Sequence, residues 1–188
     1  MIQYEDYVDK YQDNFVQVEL DDSTVTKVKN FVSDIIEVKK DERHHVIDSG
    51  MEEKRWTTGY LGECAVEKFI GVNFVDFSIG DSTKYHVADL KFLGIDCGIK
   101  TVEKGKFPII FKKSYKPEII VIKKSEKLFD ICGLATKEVL NKYQSIDLVL
   151  SPYLKNRGTK TGFYGFNKLI HPEKFLLRIQ QLQEIANG

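Results

Sequence analysis

The chain has 188 residues, enough for one domain of ordinary size whose core needs no staples. Hydrophobic residues make up 42% and charged residues 30%, which excludes disordered and fibrous classes. The 28 Lys and Arg balance the 28 Asp and Glu, so any contact with nucleic acid must come from local basic patches.

Cys64, Cys97 and Cys132 are too few and too scattered for a disulfide framework or a zinc knuckle. A reducing, cytoplasmic setting is expected. The opening stretch MIQYEDYVDKYQDNF has no apolar signal core, and no run approaches the length of a membrane span, so no membrane partner is expected.

In chain order, residues 23–40 predict a helix capped by Ser23 or Thr24, with Val28, Phe31, Val32, Ile35 and Ile36 at helical spacing. The charged stretch 39–45 reads as solvated. Residues 58–70 predict a second helix with a broad apolar face, stopped by Gly71. The period then changes. Residues 86–93 and 95–102 read as two strands of a hairpin joined tightly at Gly94. EIIVIK at 118–123 is strongly β-prone, and 128–134 and 146–150 read as further strands, the last closed by Pro152. Residues 136–143 predict a short helix capped by Thr136, and 172–186 an amphipathic one. One mixed α/β (α+β) domain over 1–188 follows, with no repeat or linker.

The hairpin carries the charged residues that matter. Side chains alternate along a strand, so Ile95, Cys97, Ile99 and Thr101 point toward a core, and Asp96, Gly98 and Lys100 point the other way. With Leu93 and Gly94 as a two-residue turn, Phe92 pairs with Ile95, Lys91 with Asp96, and Asp89 with Gly98. Asp89, Asp96 and Lys100 then share a face, with open space at Gly98. Two acids so placed can hold a hard divalent cation, and a lysine beside them can neutralise a phosphate or position a water. The plainer reading makes Lys91 and Asp96 an ordinary cross-strand ion pair on a solvated face.

The segments GYLGECAVEKFIG, ADLKFLGIDCGIKTV and PEIIVIK resemble the PD-(D/E)XK nuclease superfamily over roughly residues 57–135. The resemblance implies a restriction-endonuclease-like mixed sheet flanked by helices, with a core of about 57–150 and helical additions at both ends. Glu63 matches the helical glutamate, Asp89 the hairpin aspartate and Lys100 the lysine. The position two before the lysine, normally acidic, is Gly98, and Asp96 reaching over the glycine is the preferred replacement. A lower-ranked alignment uses Asp76 as the aspartate and Asp89-Leu90-Lys91 as an intact D-x-K. The implied activity is Mg2+-dependent DNA endonuclease or exonuclease cleavage, with Mn2+ as a substitute. Asp89, Asp96 and Glu63 would serve the metal, and Lys100 the water or phosphate. A homodimer would suit cutting of both strands. The alternative from another class is a weak or inactive nuclease-fold module that binds nucleic acid or a protein.

Two basic runs are candidates for DNA contact, or else solvated loops: Lys112, Lys113 and Lys116 around Tyr115, and Lys155, Arg157 and Lys160 in YLKNRGTKTGFYG, read as a mobile contact loop. His44 and His45 are adjacent, a spacing that does not suit a helical metal pair. Trp56 reads as a core anchor at the entrance to the second helix, and Cys97 and Cys132 as small core residues.

Overall fold

The structure is a computed structural model describing residues 2–39, 49–79, 89–91 and 94–187. His44 and His45 lie outside these residues, as does much of the first strand expected for the hairpin.

A four-stranded mixed sheet organises the chain. β1 (Val16–Glu19) pairs antiparallel with β5 (Leu128–Ala135), β5 pairs antiparallel with β4 (Glu118–Lys123), and β4 pairs parallel with β2 (Gly98–Glu103). β4 alternates without a polar interruption. Ile119 and Val121 enter one apolar core, and Ile120 and Ile122 enter a second on the opposite face. Burial on both faces explains why EIIVIK reads as a continuous apolar run rather than an alternating one. β5 does the same across a bulge at Cys132, which has no register partner between Ile131 and Gly133. There the face parity flips, so Phe129 and Ile131 share the first core with Leu134.

The first core is closed by helices. In α2 (Asp22–Lys39), Val25, Val28 and Val32 are buried at helical spacing. Its cap is Asp21 rather than Ser23 or Thr24: the Asp21 carboxylate accepts the Ser23 hydroxyl and the Thr24 N–H, each at 2.7 Å. α3 (Ser49–Ile70) begins well before residue 58, so Trp56 lies inside the helix rather than at its entrance. Trp56 packs against the core edge and stacks on Tyr60. Gly71, at φ 78°, ends α3. α6 (Pro172–Asn187) adds Phe175 and Ile179. β1 and α6 lie outside 57–150, yet both supply this central sheet and core.

The second core is closed by the N-terminal segment, with α1 (Tyr4–Tyr7) and Val8, and by a small antiparallel sheet. That sheet has the order β3 (Ile109–Phe111), β7 (Lys160–Phe163), β6 (Gln144–Ser145). α4 (Lys137–Lys142) is capped by Thr136 as expected, with its hydroxyl accepting the Val139 N–H at 3.3 Å.

Three expectations fail. Residues 146–150 are not a strand, because Ser145 caps a single 3-10 turn over Ile146–Leu148. The 153–165 stretch is not a loop but α5 (Pro152–Arg157) followed by β7, with Gly158 at φ 63° between them. The third is the hairpin register. Gly94 N–H bonds Lys91 O at 2.9 Å, and Ile95 N–H bonds Leu90 O at 3.3 Å. Leu90 therefore stands where Phe92 was expected, and the strand at Lys100 begins only at Gly98. Lys91 and Asp96 are both exposed, and no ion pair joins them.

One contact fixes how α3 lies on β2. A Cβ on Gly62 would overlap the Thr101 side chain, whose Cβ and Cγ2 would be only 2.7 Å away. Glycine in a helix interior costs about 1 kcal/mol against alanine, and here the close approach compensates. Gly62→Ala is expected to lose about 1–3 kcal/mol in urea denaturation, despite the higher helix propensity of alanine.

Candidate active site

The parallel pairing of β2 and β4 sets the local chemistry. Among the described residues β2 is the last strand of its sheet. The Gly98 N–H turns inward to Pro117 O at 3.0 Å, so the next N–H, that of Ile99, turns to the side away from β4, the edge of the described sheet. The Asp89 carboxylate closes that edge by accepting the Ile99 N–H at 2.5 Å.

Gly98 marks the centre of the cluster. A Cβ there would lie 3.3 Å from Lys116 Cε, 3.5 Å from Asp89 Oδ2 and 3.6 Å from Glu118 Cγ. Three charged side chains thus converge over the one position in β2 that has no side chain. Glu118 is the register partner of Gly98 and shares its face. Its Oε2 is buried with no hydrogen-bond partner, a condition that costs free energy until a cation or donor arrives. Lys100, two residues along β2, shares this face.

Glu63 comes from α3, next to the Gly62 contact. Burial first, then the negative charges of Asp89 and Glu67, push its carboxyl up to about 8. Glu67 itself is engaged elsewhere, accepting the N–H groups of Phe74 and Val75 at 2.7 Å each. Burial also raises Asp89, while the Ile99 N–H, Lys116 and Lys100 pull it back. Lys160 approaches from the small sheet. Burial and then the nearby Lys100 bring its ammonium down to about 8, against the opposing pull of Glu118, and Arg157 and Arg55 add to the lowering.

The structure therefore links these residues pairwise: Asp89 acts on Glu63 from one side and is acted on by Lys100 from the other, and Lys100 in turn acts on Lys160. It does not bring Asp96 to them. Asp96 is exposed on the stretch before β2, so strand alternation does not carry it to the Lys100 face. Lys112, Lys113, Lys155 and Arg157 are exposed around the small sheet, and Arg157 lies within electrostatic reach of Lys160. Glu118 and Lys116 are the site residues that sequence reasoning missed. An acid heading a strand buried on both faces was the available signal.

A hard cation suits this donor set: enclosed carboxyls that burial drives toward protonation, one orphaned carboxylate oxygen, and a gap left by a glycine. Among the described residues no three His, Cys, Asp or Glu side chains are gathered in ligating geometry, so these carboxylates must turn inward to share an ion. No helix among the described residues is long and apolar enough to cross a membrane. The chain is a mixed α/β protein, with its charged cluster at the edge of the four-stranded sheet formed by the described residues. No family model matches it, and no curated protein or solved structure does so either.

Proposed function

We propose that this protein is a divalent-metal-dependent DNA phosphodiester hydrolase of the PD-(D/E)XK type, with a restriction-endonuclease-like core. The observation that carries the reading is the convergence of Asp89, Glu118 and Lys116 over Gly98, where that family places an acid. Asp89 and Glu118 are the residues to hold Mg2+ or Mn2+, with Glu63 assisting from α3. Bound there, the metal would supply an activated water and charge stabilisation at phosphorus. Lys100, in the field of Asp89 on the face of Gly98, orients the attacking water or neutralises the scissile phosphate. Lys116 and Lys160 hold the flanking phosphate charge.

The test is incubation of supercoiled plasmid and linear single-stranded DNA with Mg2+, Mn2+ or EDTA. Cleavage is expected only with metal. Asp89→Asn and Lys100→Met are each expected to lower it about 100-fold or more while keeping the far-UV circular dichroism of the wild type. Full activity in both variants would sink the assignment.

A second reading, a non-catalytic module for nucleic acid or a protein partner, draws on the ungathered carboxylates and the missing acid at Gly98. Calorimetric titration with Mn2+ separates the two. Binding abolished by Asp89→Asn supports the hydrolase, and no binding supports the module.

A further inference from the structure

The three exposed aromatic residues among the described large hydrophobics are Phe111, Tyr115 and Tyr153, at 56%, 75% and 62% exposure. All three belong to the small sheet or the segments against it, and each has a cation at its ring. Lys160 Nζ lies 3.1 Å from the Phe111 centroid, Lys113 Nζ 5.5 Å from that of Tyr115, and the Arg157 guanidinium 5.7 Å from that of Tyr153. Scattered exposed aromatics need no explanation, but aromatics grouped on and around one small sheet, each beside a cation, do.

This surface is built and continuous with the acid cluster. Phe111 and Lys160 are register partners at the ends of β3 and β7, and Lys112 N–H extends that ladder to Thr159 O at 3.0 Å. The chain then runs Lys112, Lys113, Ser114, Tyr115, Lys116 into Glu118. It is pinned midway by Asn141, which accepts the Ser114 N–H at 2.8 Å and donates to Ser114 O at 3.0 Å. One segment thus leads from an exposed ring to the lysine over Gly98. Among the described residues Lys100, Lys160 and Arg157 form no ion pair, and Glu118 is an acid that opposes the crowding at Lys160. Positive charge outside any described ion pair, beside exposed aromatic rings, suits a polymer that offers phosphates and unpaired bases together. In a duplex the base faces are stacked on one another and cannot meet these rings.

We infer that the face formed by Phe111, Tyr115 and Tyr153 with Lys113, Arg157 and Lys160 binds single-stranded DNA and leads it to the acid cluster. The inference deepens the hydrolase reading and takes from it only the identity of the polymer.

The test is fluorescence anisotropy in EDTA, where no metal-dependent cleavage occurs, with a labelled oligothymidylate and the same strand in duplex with oligoadenylate. The single strand is expected to bind about tenfold more tightly or better. Phe111→Ala and Tyr153→Ala are each expected to weaken single-strand binding about fivefold or more while changing duplex binding less than twofold. Both rings are exposed, so unchanged melting temperatures serve as the folding control. Equal or tighter duplex binding, no binding to either probe, or unaltered single-strand binding in both variants overturns the inference. A protein that cleaves DNA with Mg2+ but fails this test retains the hydrolase reading alone. One that passes without cleaving is a single-strand binding module.

Discussion

Glu118→Gln is expected to lower Mn2+ affinity at least tenfold and metal-dependent cleavage about 100-fold or more, whereas Asp96→Asn changes each less than twofold. The substitution keeps the volume of the side chain and removes only its charge. Glu118 Oε2 has no hydrogen-bond partner to lose, so the metal-free fold should melt within a few degrees of the wild type. Calorimetry with Mn2+ reads the metal affinity without relying on turnover. A return of the acid to β2 makes the test two-sided. Gly98 and Glu118 stand opposite each other on neighbouring strands, and Gly98 does not hold a positive φ. The nearest atom a new side chain would meet is the flexible end of Lys116, at 3.3 Å. The double variant Gly98→Asp/Glu118→Gln is therefore expected to recover Mn2+ binding that Glu118→Gln alone has lost. Wild-type affinity in Glu118→Gln together with loss in Asp96→Asn would return the second acid to Asp96.

The elements legible in the sequence are those whose evidence is local. EIIVIK is a strand because every residue from Ile119 to Ile122 is buried, on alternating faces. α4 carries its own cap in Thr136. The missed strands are two to four residues long, too short to show a period, and they exist through distant partners: β1 through β5, and β3 and β6 through β7. The site divides in the same way. Gly98 and Lys100 share a face by simple alternation, and Asp89 does lie against Gly98, although through an edge contact to Ile99 rather than through the expected hairpin pairing. Asp96 entered by counting alternation back past the start of the strand. Glu118 stayed hidden because its role depends on a parallel pairing with Gly98, twenty positions away, and a parallel register leaves no turn in the sequence to count from.

The second large effect is on stability, through Glu63. Its carboxyl titrates near 4.5 in the unfolded chain and near 8 in the folded one, so the folded state binds the proton more tightly. The stabilisation tied to that proton is fully present below about pH 4.5 and is lost as pH rises through about 8. Asp89, also raised by burial, adds to the slope in the same sense. Glu63→Gln removes the titration and the repulsion together. In EDTA the variant is expected to match the wild type within about 1 kcal/mol at pH 5 and to exceed it by roughly 3–5 kcal/mol at pH 8.5. For a chain of this length that difference corresponds to a melting temperature about 10 °C higher. Carboxylates whose pKa is lowered, such as Asp21 and Glu103, contribute the opposite slope equally to both proteins, so the difference between the two curves isolates Glu63. Saturating Mg2+ should narrow the gap at pH 8.5, because a cation among Glu63, Asp89 and Glu118 relieves in the wild type the same repulsion that the substitution removes. A gap that is independent of pH would mean that Glu63 is an ordinary packing residue. A pH-dependent gap that Mg2+ does not narrow would leave the buried acid intact and take the metal away from it.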